Sequence, residues 1–206
     1  MKILMTGFEP FGGETFNPSF EAIRRMPDKV AGAEIVKLEL PTSFSRSASA
    51  IENAIRTVQP EAVISVGQAG GRCCVTVERV AINLADARMP DNDGAQPVDE
   101  FLQADGPAAY FATVPVKDIV RNIRSHGIPC DLSYTAGSYV CNCVMYHVLH
   151  LASSQYPKLR AGFLHLPYAE EQAVNKPSGT ASMSLQTMTR ALEYAAEAIV
   201  NRLNII

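Results

Sequence analysis

Leu132-Ser133-Tyr134-Thr135 runs through Ala136-Gly137-Ser138 directly into Tyr139-Val140-Cys141-Asn142-Cys143-Val144-Met145-Tyr146-His147-Val148-Leu149-His150-Leu151-Ala152-Ser153-Ser154. The first segment reads as a strand, the small residues after it permit a sharp turn, and the long apolar run that follows reads as a buried helix. The same alternation recurs along the chain. Lys2 to Gly7, Glu34 to Leu40, Ala62 to Gly67 and Gly162 to Leu166 read as strands, and Thr76 to Leu84 as a further one. Ser19 to Met26, Ser45 to Val58, Val116 to Ser125 and Ser182 to Leu203 join Tyr139 to Ser154 as helices. Strands alternating with helices imply an α/β fold with a mostly parallel, twisted sheet. No linker or internal repeat divides the chain, so residues 1–206 are expected to form a single domain, the usual outcome at this length.

Composition narrows the class. Hydrophobic residues make up 47% and charged residues 19% of the 206, which is the make-up of a globular protein. Lys and Arg number 18 against 21 Asp and Glu, a net charge of −3, with the cations scattered, which argues against a nucleic-acid partner. No apolar run approaches the roughly 20 residues that cross a bilayer, and the opening Met1 to Gly7 reads as a strand rather than a signal peptide, so no membrane partner is expected. Cys73, Cys74, Cys130, Cys141 and Cys143 are odd in number and contain no CxxC pair, a pattern that fits reduced thiols in a cytoplasmic protein.

In α/β sheets, ligands bind beyond the carboxyl ends of the strands, where chains turn into helices. Cys141 sits at such a turn. Free N–H groups and the positive end of the helix dipole are expected there to lower a thiol pKa and to hold an oxyanion. A cysteine in an apolar helix is otherwise simply packed. A thiol nucleophile needs an imidazole, and of the four histidines only His165, in Gly162-Phe163-Leu164-His165-Leu166-Pro167, ends a strand. His126 precedes Gly127 and suits a helix carboxyl terminus. Glu78, in Val75-Thr76-Val77-Glu78-Arg79-Val80-Ala81, is either an exposed-face residue or a buried acid with an assigned partner, and alternation puts Arg79 on the other face.

Gly7-Phe8-Glu9-Pro10-Phe11-Gly12-Gly13 follows the first strand but fails as a phosphate loop, because Gly13 and Glu14 stand where Lys and Ser/Thr are required. Its two aromatic rings suit a pocket for a small uncharged group instead. The irregular stretch from Met89 to Pro107, with Asp91-Asn92-Asp93-Gly94, is long enough to suggest a functional loop. Cys143, His147 and His150 share a helix face and could hold zinc, although such a stripe is more often packing. That face lies nearly opposite Cys141.

Taken in order, Thr6-Gly7-Phe8-Glu9-Pro10-Phe11-Gly12-Gly13 with Asn17-Pro18-Ser19, Val66-Gly67-Gln68-Ala69-Gly70-Gly71, Val77-Glu78-Arg79-Val80-Ala81-Ile82-Asn83, Asp91-Asn92, Thr135 to Asn142, and Phe163-Leu164-His165-Leu166-Pro167 resemble the pyroglutamyl peptidase type I, or pyrrolidone carboxyl peptidase, family. The resemblance runs from Met1 to the last helix. It implies an α/β/α sandwich, a thiol peptidase without metal or cofactor, often a homotetramer, acting on small peptides with an amino-terminal pyroglutamate. It implies Cys141 as nucleophile, His165 as base and Glu78 as the carboxylate that orients it. It further implies Phe8 and Phe11 around the lactam ring, Gln68 hydrogen-bonded to it, Val140 among the substrate-binding residues and Arg88 near the oxyanion. Cys73, Cys74 and Cys143 are no part of the motifs. A protein that binds a cyclic amide without cleaving it would use the same pocket.

Overall fold

The apolar run after Met1 becomes β1 (Lys2–Phe8), all of it buried except Lys2. The computed structural model describes residues 1–203. Asn17 caps the next element by accepting from the Ser19 N–H, and Pro18 at the first turn starts α1 (Pro18–Arg24). There follow β2 (Lys29–Val30), β3 (Ala33–Leu40), α2 (Phe44–Val58), β4 (Ala62–Gln68), β5 (Val75–Glu78), β6 (Val80–Ile82), β7 (Ala109–Phe111) and α3 (Val116–Ser125). The chain continues through β8 (Cys130–Ser133), α4 (Val140–Ser154), β9 (Arg160–Leu166), β10 (Tyr168–Ala169), α5 (Glu170–Ala173), β11 (Ser182–Met183) and α6 (Leu185–Leu203).

The main sheet has the order β2-β3-β1-β4-β9-β5-β8. Its centre, β3, β1, β4 and β9, is parallel, while β5 runs antiparallel to β9 and carries β8 parallel to itself. Helices α1, α3 and α6 pack together on one face, α2 and α4 on the other, giving the expected α/β/α sandwich. One apolar cluster fills both interfaces, with Ile3, Leu4, Ile64, Leu164 and Ile119 fully buried.

Three local expectations are corrected. The strand expected from Thr76 to Leu84 is two strands, because at Arg79 the chain leaves the main sheet and β6 pairs with β7 in a separate ribbon. The strand expected at Leu132 to Thr135 begins two residues earlier, at Cys130, opposite Val75, and ends at Ser133. From there the Ser133 hydroxyl accepts the Thr135 N–H and starts the turn. The helix expected from Ser182 begins at Leu185, since Ser182 and Met183 pair with Tyr168 and Ala169. The short strands β2, β7, β10 and β11 carry too few residues to show a period.

Candidate active site

The turn at Thr135-Ala136-Gly137-Ser138 aims α4 at the carboxyl ends of β4 and β9. Gly137 takes φ of +78°, a left-handed conformation that side chains resist. Ser138 ties the turn to the loop beyond β6 by donating to Asp86 O at 2.7 Å and accepting, through its carbonyl, the Asp86 N–H at 3.0 Å. One turn inside the helix, the Asn142 amide donates to Ile82 O and Leu84 O and accepts the Ile82 N–H, at 2.9, 3.0 and 3.0 Å. These bonds fix the axial position of α4. Tyr139 precedes the helix without any side-chain cap, so the first N–H groups are not taken up by a capping oxygen.

Cys141, next to the uncapped end, lies against Gly67 on β4. A Cβ at Gly67 would stand 2.7 Å from Cys141 Sγ, so only glycine leaves room for the sulfur. In the β4–β9 register Gly67 is paired with His165. The thiol and the imidazole thus occupy adjacent positions on the same sheet end, and both line one cavity of about 330 Å³.

His165 and Glu78 meet across the antiparallel pair. Thr76 is directly opposite His165, so Glu78, two residues on, is its diagonal neighbour on that face. His165 Nδ1 lies 2.7 Å from Glu78 Oε1, and the two residues are 4% and 0% exposed, far too buried for an unpaired acid. The same Oε1 accepts from Arg72 Nη1 at 2.6 Å. Arg72 also donates to the Thr76 hydroxyl and, through Nη2, to Thr135 O at 3.1 Å, so one guanidinium joins the carboxylate to the turn ahead of Cys141. Glu78 Oε2 has no hydrogen-bond partner among the described residues.

Electrostatics follow from this burial. Desolvation pushes the Glu78 carboxyl up, but the bonds from His165 and Arg72 outweigh it and hold the group below its ordinary value, ionised at neutral pH. An ionised acceptor takes the proton on His165 Nδ1 and leaves Nε2 as the basic nitrogen. Burial lowers the His165 pKa more than Glu78 raises it, so the ring is neutral. The thiol departs from the expectation for a helix amino terminus. Burial, reinforced by the charge of Glu78, pushes the Cys141 pKa up to about 12, beyond what Arg72 and the residue's own N–H take back. Both directions favour a neutral thiol beside a neutral imidazole at neutral pH.

The rest of the cavity is apolar and neutral. Phe8, Phe11, Tyr139, Val140 and Ala136 line it, with Gln68 and Asn17 contributing amides. The irregular 83–107 segment braces the Phe loop. Asn92 Nδ2 donates to Glu9 Oε1 and Pro10 O at 2.9 and 2.8 Å, and Tyr139 Oη donates to Pro90 O at 3.0 Å. Phe11 meets the Tyr139 ring at 6.3 Å and Phe8 meets Phe163 at 6.4 Å. Asp91 is buried under this loop, accepting N–H groups from Phe44, Asp93 and Ala95.

Of the residues singled out in the sequence, Glu78, Cys141, His165, Phe8, Phe11, Gln68 and Val140 come together here. Arg88 is exposed on the 83–107 loop and does not line the cavity; the arginine that does is Arg72, which sequence reading passed over. Its only signal was its place after Gly70-Gly71, beyond a strand end. The zinc arrangement does not assemble. Cys143 Sγ faces Phe44 O, His147 Nε2 faces Glu52 Oε2 at 3.5 Å, and His150 Nδ1 meets Tyr110 Oη at 3.0 Å. Among the described residues no three His, Cys, Asp or Glu side chains gather as a metal site. His126 accepts its expected task, its Nδ1 2.9 Å from Asn122 O at the end of α3.

Comparison with known proteins gives one family throughout. The model of the family described as pyroglutamyl peptidase matches residues 1–202. A pyrrolidone-carboxylate peptidase of Enterococcus faecalis is 54% identical over 97% of this chain and 93% of its own length, and one of Finegoldia magna is 50% identical over 98% and 94%. Among solved structures, pyroglutamyl peptidase I from Bacillus amyloliquefaciens superposes with a TM-score of 0.93 at 48% identity, covering 96% of this chain and 94% of that one. Pyrrolidone carboxyl peptidase from Thermococcus litoralis gives 0.95 at 41% identity, covering 98% and 94%.

Proposed function

The chain belongs to the pyroglutamyl peptidase family, and from that premise we propose that it hydrolyses the amide after an amino-terminal pyroglutamyl residue by thiol catalysis, with Cys141, His165 and Glu78 as the working triad. The observation that carries the reading is the placement of Cys141 Sγ over Gly67, the register partner of His165, whose other face is held by Glu78.

The cycle starts from the neutral pair. Sγ attacks the pyroglutamyl carbonyl carbon while His165 Nε2 takes the thiol proton, so the thiolate forms only as the C–S bond forms. Glu78 keeps the imidazole in the required tautomer and stabilises the imidazolium that results. The uncapped N–H groups at the start of α4 receive the oxyanion. His165 then returns its proton to the leaving amine as the C–N bond breaks, leaving a thioester on Cys141. A water that gives its proton to His165 attacks this thioester, and collapse of the second tetrahedral intermediate frees pyroglutamate and returns the proton to sulfur. No metal or cofactor enters the cycle.

The ring side supports the substrate class. A pyroglutamyl terminus is a neutral lactam, and Phe8, Phe11 and Val140 offer apolar walls with Gln68 as a polar contact. The five free thiols among the described residues fit work in a reducing cytoplasm, on small peptides, by a single domain assembled as the homotetramer the family resemblance implies. The test is release of aminomethylcoumarin from its pyroglutamyl amide, with and without iodoacetamide. Turnover abolished by the alkylating agent agrees with the proposal, and turnover indifferent to it removes the thiol from the chemistry.

A further inference from the structure

Gln172 belongs to none of the motifs, yet it is buried, at the end of a short acidic helix beside the cavity wall. Its amide orientation is set twice. Oε1 accepts the Ala169 N–H at 3.1 Å, which only an oxygen can do. Nε2 is surrounded by acceptors, with Glu14 Oε2 at 3.2 Å, Phe16 O at 3.5 Å and Gln68 Oε1 at 3.1 Å. Glu14 is held ionised by Lys176, 2.7 Å from its other oxygen, so it cannot become a donor and turn the Gln172 amide over. A carboxylate, a backbone carbonyl and a backbone N–H therefore fix which end of Gln172 faces Gln68.

We infer that Gln172 is a positioning residue for specificity: by occupying Gln68 Oε1 it turns Gln68 Nε2 toward the cavity, so that the pocket offers a hydrogen-bond donor to a ring that bears a carbonyl. The inference rests on the proposed function and names the feature of the lactam that is read. Gln68 closes β4 and lines the cavity, and its Nε2 has no acceptor among the described residues, which leaves that group for a ligand. A free glutamine amide turns over readily and offers either end. One pinned by Gln172 offers a donor only, and a five-membered ring without the carbonyl leaves that donor unmatched. Gln172 itself touches no substrate and acts through Gln68.

The test is a double-mutant cycle on the full chain with pyroglutamyl-aminomethylcoumarin, adding competitive inhibition by 2-pyrrolidinone, the bare lactam. Gln172→Met is expected to lower kcat/KM by about tenfold, the order expected for one neutral hydrogen bond, through KM and with kcat nearly kept. The inhibition constant of 2-pyrrolidinone should rise by the same factor. On a Gln68→Ala background, Gln172→Met should change neither value, because the group it positions is gone. Multiplying losses in the double variant, a loss confined to kcat, or a Gln172→Met enzyme equal to the parent would each overturn the role. Gln172→Leu repeats the cycle should the melting midpoint of Gln172→Met fall. Absence of turnover by the parent would remove the proposed function instead, an outcome distinct from a working parent that ignores Gln172.

Discussion

The two sides of the cavity are built from different materials. On the thiol side, a buried carboxylate and imidazole and a partly buried guanidinium are joined by bonds of 2.6 and 2.7 Å. On the ring side, phenyl faces and the Gln68 amide, backed by Gln172, line the cavity with no charge among them, and Glu14, which also holds Gln172, is paired with Lys176. The first arrangement can stabilise a charge that develops during reaction, and the second can recognise a neutral shape before reaction begins. Damage to the thiol side should therefore appear in kcat, and damage to the ring side in KM and in choice of substrate.

The sharpest way to break the contrast is Cys141→Ala, expected to cost on the order of 10⁴ or more in kcat, while Cys143→Ser, whose sulfur faces Phe44 O on another side of the helix, keeps most of the activity. Comparable losses from both would move the nucleophile. Next in size is the parent enzyme's own selectivity: prolyl, glutamyl and glutaminyl amides of aminomethylcoumarin should be at least ~10³-fold poorer than the pyroglutamyl amide, because they bring a cationic amine into a pocket with no counter-charge or lack the ring carbonyl. Efficient prolyl cleavage would contradict the ring side as described.

Gly67→Ala crowds Sγ against β4, and displacement of the nucleophile by even an ångström should lower kcat by about 10² with little change in KM. A variant that keeps parental kcat would show that the sulfur reacts from elsewhere. Phe11→Ala removes one ring face and should raise KM about tenfold while sparing kcat, read from initial rates over a range of substrate concentration. The smallest effect is a shift. His165 must be neutral to accept the thiol proton, and burial lowers its pKa, so the acid limb of kcat/KM should fall below 6.5, the imidazole's ordinary value. Glu78 raises that pKa, so in Glu78→Gln, alongside a lower kcat, the limb should move to still lower pH; a move upward would contradict the pairing.

Much of this was legible in the sequence. The strand–turn–helix at Leu132 to Ser154 and the alternation around it gave the layered fold, because apolar period and small turn residues are local properties. Cys141 and His165 stand out because one opens a helix and the other ends a strand at the same sheet end, whereas Glu78, which its neighbours leave open to an exposed-face reading, enters only through the family resemblance. What was hidden depends on tertiary contacts. The split of Thr76 to Leu84 at Arg79 follows from which strand each half finds, and Val80 alone gives no hint of β7. Arg72 sits in a glycine loop and Gln172 beside two glutamates, both with the composition of a surface, so only the folded chain brings them to the cavity. The direction of the Cys141 shift was hidden for the same reason: the helix end is local, whereas desolvation of the half-buried thiol and the nearby charge of Glu78 are tertiary properties.

The most direct test of the account is limiting alkylation with iodoacetamide, followed by peptide mapping of all five cysteines against residual pyroglutamyl amidase activity. Activity should fall in proportion to labelling of Cys141, 2-pyrrolidinone should slow both together, and the labelling rate should climb steadily above pH 9 as the raised thiol pKa requires. Activity that survives full labelling of Cys141, or that is lost while Cys141 remains unlabelled, would contradict the assignment of the nucleophile.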